Sequence, residues 1–107
     1  MATLRVGSGK TAPGEGWQTY GTEGVYIDVD TASANFSGDP VYHASIYSTG
    51  GSQLWTHGAH AIYQVSATGF RLYLRWVDDA KRNGKQLTPQ TCQQYGFYVA
   101  WSGTDEP

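Results

Sequence analysis

Between Gly51 and Tyr63 the chain reads GSQLWTHGAHAIY, which gathers Trp55, His57, His60 and Tyr63 among glycines. Imidazoles and flat rings in such company suit three chemistries: a metal site, a catalytic site, or a wet surface for a flat polar ligand. A metal site would need a further ligand from elsewhere, such as His43. His57 and His60 are three residues apart, a spacing that fits a helix face and points oppositely along a strand. No Cys/His cluster has zinc spacing and no EF-hand loop is present. Asp28 and Asp30 alternate onto one strand face, where they could help chelate calcium or simply keep that face soluble. Catalytic signatures are equally sparse. Neither Ser45 nor Ser52 lies in a G-x-S-x-G elbow, and the sequence supplies no means of setting Cys92 beside a histidine. Glu15 and Glu23 sit in glycine-rich stretches that read as exposed loops rather than as the opposed acids of a glycosidase.

A sugar is the flat polar ligand that fits best. It presents an apolar CH face, which aromatic rings satisfy, and a rim of hydroxyls, which Asp, Asn, Gln, Arg or His satisfy. Trp55, His57, His60 and Tyr63 offer both kinds of group. Trp55, beside Leu54 and a glycine pair, reads equally as core or surface. Ile62 reads as core, which turns Tyr63 outward.

The elements that would position these residues follow from composition and alternation. At 107 residues the chain is one domain, 1–107, long enough to bury a hydrophobic core without staples. Seven Lys and Arg against nine Asp and Glu give a net charge of −2, which argues against a general nucleic-acid binder. Five of the seven basic residues fall between Arg71 and Lys85, but Asp78 and Asp79 sit among them and blunt any anionic-ligand reading. The lone Cys92 excludes an internal disulfide. No apolar run approaches the ~20 residues that span a bilayer, so no membrane insertion is expected. The N-terminus lacks the apolar region of a signal peptide, which implies a cytoplasmic protein or one whose leader has been removed. Fourteen glycines with four Trp and eight Tyr suit short strands, tight turns and half-wet surfaces.

Period-two alternation recurs six times, in TLRVG, GVYIDVD, VYHASIYS, AIYQVS, GFRLYLRWV and YGFYVAWSG. It predicts an all-β fold, an antiparallel sandwich of about six strands. The inward faces are expected to carry Val25, Ile27 and Val29; Tyr42, Ala44 and Ile46; Phe70, Leu72, Leu74 and Trp76; and Phe97, Val99 and Trp101. Asn83-Gly84 marks a turn that could tip a small hairpin, and TPQTCQQ suits one short helical turn because Pro favours a first helical position. Arg71, Tyr73 and Arg75 are large for an outer strand face. A subunit interface is one physical explanation for them.

Taken in order, RVGSGK, then GW, then a strand, P-x-Y, ATGFRLYLRW and a terminal FYVAWSG, the chain resembles the H-type lectins from Arg5 to Gly103. That resemblance implies a six-stranded sandwich, assembly as a homotrimer, and sugar sites between neighbouring subunits. Counted back from TGF, the family's sugar-contacting arginine falls on His57. Its Trp-His pair falls near Trp76 and Val77, displaced by one residue, which in a strict strand turns Trp76 to the core face. Its contacting tyrosine falls on Tyr95 and its loop aspartate near Glu23. The scaffold therefore carries over better than the site, and Asp28, Arg75 and Asp78 become rival polar contacts. The expected ligand-binding set is Glu23, Trp55, His57, His60, Trp76, Asp78 and Tyr95. Trp55 or Trp76 would stack on the sugar, His57 and Tyr95 would bond hydroxyls, and Glu23 and Asp78 would accept from them across a subunit boundary.

The sequence thus reads as a trimeric, non-enzymatic lectin for galactose- or N-acetylgalactosamine-type glycans, with no cofactor and no bound metal. The alternative reading is a carbohydrate-binding or adhesion/trimerisation module of a larger secreted or phage-tail protein.

Overall fold

Alternating residues can bury one face of a strand only if a second sheet covers it, and here two antiparallel sheets cover each other. The computed structural model describes residues 4–58, 61–77 and 86–105. Its strands are β1 (Arg5–Lys10), β2 (Gln18–Tyr20), β3 (Gly24–Asp30), β4 (Val41–Ser48), β5 (Thr56–His57), β6 (Ile62–Ser66), β7 (Gly69–Trp76) and β8 (Phe97–Asp105). A short helix, α1 (Pro89–Tyr95), precedes β8. One sheet has the order β1-β8-β4. The other has the order β2-β3-β7, with β5 and β6 both paired to β7.

All six expected strands are present. The inner faces are those that alternation predicts: Val25, Ile27 and Val29 of β3 and Phe70, Leu72, Leu74 and Trp76 of β7 meet Tyr42 of β4 and Phe97, Val99 and Trp101 of β8. Ala44, Ile46 and Ile62 pack half-buried against this cluster. Within the described residues the first strand is Arg5–Lys10, and it is paired along its length with β8, from Arg5 opposite Asp105 to Lys10 opposite Ala100. Two short strands, β2 and β5, add to the six. Neither has a buried residue, so neither leaves an alternating apolar signal.

Polar groups in the interior are paired. The Tyr42 hydroxyl donates to the Ser66 carbonyl at 2.8 Å and lies 2.6 Å from the Thr31 hydroxyl. The Trp17 indole N–H donates to the Phe97 carbonyl at 3.0 Å, which clips the β1–β2 loop to the start of β8. Buried Asp105 accepts from the Ser37 amide at 2.7 Å. The expected helical turn is α1, capped by the Thr88 side chain, begun by Pro89 and ended by Gly96 at φ 66°. A side chain at Gly96 would be strained by that backbone and would also collide with Thr49. Cys92 lies on the inner side of α1, fully buried, and that burial pushes its thiol up to about 12. The Asn83-Gly84 turn lies outside the described residues. No helix among the described residues is long and apolar enough to cross a membrane.

Candidate functional site

The outward residues of β7 are Arg71, Tyr73 and Arg75, and the neighbouring strands align a partner with each. Arg75 stands opposite His57 of β5, Tyr73 opposite Tyr26 of β3, and Arg71 opposite both Asp28 of β3 and Tyr63 of β6. Tyr20 of β2 pairs with Gly24, which has no side chain to fill the space between them. Gly24 is required there, because a Cβ would meet the Leu74 carbonyl and the Arg75 backbone. Tyr20 consequently reaches across the sheet to Tyr73, with ring centroids 4.7 Å apart.

An open cleft of about 400 Å3 lies on the outer face of the β2-β3-β7 sheet, with Tyr20, Tyr63 and Tyr73 supplying rings and Glu23, His57 and Arg75 supplying polar groups; Arg71, Asp28 and Tyr26 lie outside its lining. Tyr73 forms the floor. Tyr20 and Tyr63 flank it, the latter edge-on at 5.0 Å, and Tyr26 lies 6.0 Å away. Arg75 Nη2 sits 3.1 Å from His57 Nε2. A guanidinium only donates, so Nε2 is the accepting nitrogen of that imidazole. Arg75 Nη1 lies 3.9 Å from the Glu23 carboxylate, at the outer limit of an ion pair. Among the described residues, Arg75 therefore keeps N–H groups for a ligand.

Arg71 is engaged differently. Its Nε and Nη2 donate to the two Asp28 oxygens at 2.7 and 3.0 Å, and its guanidinium lies 4.2 Å from the Tyr26 ring centroid. The hydrogen bond from Arg71 holds the Asp28 carboxyl below its ordinary range, while Asp28 raises Arg71. A lowered carboxyl stabilises the fold above the unfolded value of about 4 and loses that contribution as pH falls through the folded value. Asp28→Asn should accordingly lower the thermal midpoint near pH 7, by a modest amount for a pair this exposed. The gap to wild type should close below about pH 4. A gap that persisted at pH 2 in a thermal melt would mean that Asp28 acts through something other than its charge.

Of the residues expected from sequence to bind ligand, the cleft brings together Glu23 and His57. Trp76 belongs to the core: it is 6% exposed and packs edge-on against Tyr95 and Phe97, so it offers no open ring to a sugar. Parity along β7 puts it on the inner face with Phe70, Leu72 and Leu74. Tyr95 ends α1, stacks on Phe97 at 5.8 Å and lies outside the cleft lining. Trp55 is 43% exposed at the end of a 3-10 turn, two residues before His57, and its carbonyl accepts from Val77. His60 and Asp78 lie outside the described residues. Arg75, weighed from sequence as a rival contact, and Tyr63, read as outward, both line the cleft. Tyr20 and Tyr73 were not expected as site residues. Tyr73 was visible on the outer face of its strand, whereas Tyr20 depends on β2 and on the gap left by Gly24.

The other candidate chemistries find separate explanations. Asp28 is bonded to Arg71 through both oxygens, and one oxygen of Asp30 accepts from the Ala32 amide. His43 lies on the outer face of β4, on the opposite sheet from His57. Among the described residues no three His, Cys, Asp or Glu side chains are grouped to hold a metal ion. Comparisons of the chain with protein-family models, curated proteins and solved structures find no match.

Proposed function

We propose that the protein is a carbohydrate-binding lectin that takes galactose- or N-acetylgalactosamine-type glycans and acts as a homotrimer without catalysis. The observation that carries this reading is the cleft around Tyr73, where half-exposed tyrosine rings adjoin an arginine, a glutamate and a histidine. A pyranose laid against Tyr20 or Tyr63 buries its CH face, and Arg75, Glu23 and His57 offer donors and acceptors to its hydroxyls. Glu23 is the only acid lining the cleft among the described residues, whereas hydrolysis of a glycosidic bond uses a pair. Binding fits that inventory better than turnover.

Assembly is supported by the outer face of the β1-β8-β4 sheet. Val6, Thr104 and Val41 align across its three strands, and both valines are more than half exposed. Such a row gains by packing against another copy. An open one-sided cleft makes few contacts per site, and three linked sites can raise avidity by ~10²–10⁴. The test is a glycan array probed with the intact protein, with light scattering to give its mass in solution. Wild type should bind galactosides as a trimer, and Arg75→Ala should lose the signal while keeping its mass. A blank array would refute the lectin reading, and a monomeric mass would refute the trimer.

A further inference from the structure

The cleft has a direction. Along the outer face of β7 the order is Arg75, Tyr73, Arg71, and each position meets a different kind of neighbour. At Arg75 the neighbours among the described residues are Glu23 and His57, with donors and acceptors left over for a ligand. At Tyr73 they are Tyr20, Tyr26 and Tyr63. At Arg71 the guanidinium is satisfied by Asp28 and lies over Tyr26, so it closes the row. Arg71 and Tyr26 lie beyond the cleft lining, so the cleft runs from Arg75 to Tyr73, about 7 Å of strand at ~3.4 Å per residue, and on to the Tyr63 ring 5.0 Å from Tyr73. A polar head is thus followed by an aromatic floor.

Two measures of size agree with that direction. A pyranose is about as large as a phenol ring, so one sugar held at Arg75 leaves the Tyr63 end uncovered. Tyr63 is 50% exposed and Tyr20 47%, the condition of rings that have surface left to offer. The cleft volume of about 400 Å3 lies within the ~300–1,000 Å3 of sites that take an entire small-molecule ligand. The rings are also steeply inclined to Tyr73, by 59° for Tyr20 and 83° for Tyr63, which makes a trough and not a flat platform. A trough suits a soluble, twisted chain more than the flat face of a crystalline polymer.

We infer that the site reads an oligosaccharide of two or more residues: one sugar is held by Arg75, Glu23 and His57, and the next lies over Tyr73 against Tyr63. This rests on the carbohydrate reading above and assigns it a ligand class. The experiment is isothermal titration of the intact protein with galactose, galactobiose and galactotriose, all soluble and all free of clustered presentation. Affinity should rise about three- to tenfold from one residue to two or three, the range of one aromatic contact. In Tyr63→Ala the ratio of trisaccharide to monosaccharide affinity should fall towards one. Tyr63→Phe, which keeps the ring, should restore the ratio, and Tyr47→Ala on the opposite sheet should leave it as in wild type. Circular dichroism confirms that each variant is folded, and the Phe variant separates a missing ring from a damaged sheet. Equal affinities for all three sugars in wild type would overturn the extended site and leave the lectin reading standing. Binding of none of them would overturn both.

Discussion

Tyr73→Ala is expected to reduce galactotriose affinity ~10- to 100-fold, with titration calorimetry as the measurement. The size of the effect follows from position. Tyr73 touches Tyr20 and Tyr63, so its removal takes away the cleft floor and the surface that sets the inclination of both flanking rings. A residue at the centre of a contact region costs more than one at its rim. The fold should survive the change, because Tyr73 points outward and the core beneath it belongs to Leu72 and Leu74. Lost aromatic contacts of about 0.5–1.5 kcal/mol each would still leave a folded domain of ordinary stability, about 5–15 kcal/mol. Tyr73→Phe separates ring from hydroxyl and should retain most of the affinity. An alanine variant that bound as well as wild type would show that ligand does not occupy this cleft.

The second large effect falls on stability. Phe97→Ala should cost about 3–5 kcal/mol, read as a shift in the midpoint of chemical denaturation. Phe97 is fully buried, stacks on Tyr95 and meets Trp76 edge-on. Alanine keeps the backbone carbonyl that accepts from Gly14 and the Trp17 indole, so the loss is that of the ring and the cavity it leaves. In a domain of this size such a loss lowers the thermal midpoint by on the order of 15–30 °C. Binding measured well below that midpoint should be close to normal, since the cleft lies on the outer face of the other sheet. A cost under about 1 kcal/mol would mean that the β8 end of the core is loosely packed.

The core was legible because its strands are long enough to alternate. GVYIDVD and GFRLYLRWV each bury three or more apolar residues on one side, and the same pattern told that Arg71, Tyr73 and Arg75 face outward. The cleft was only half legible. His57 was marked by residue type and Glu23 by the family resemblance alone, but what joins them is Arg75, through a cross-strand register that one sequence does not state. Trp76 shows the opposite difficulty. Its chemistry suits sugar stacking, yet parity along β7 places it inside, and parity decides. Tyr20 was hidden by β2, a strand with no buried face, and its reach to Tyr73 depends on the missing Cβ of Gly24 on β3, the strand between them.

Strand β8 occupies the middle of its sheet, with β1 on one side and β4 on the other, and Arg5 pairs with Asp105. During synthesis, β1 and β4 must therefore wait for residues 97–105 to leave the ribosome before either finds its hydrogen-bonding neighbour. Closing so long a loop is slow, and until it closes two strand edges are open to other chains. Yield in a heterologous host should then depend more on temperature and expression rate than on the final stability of the molecule.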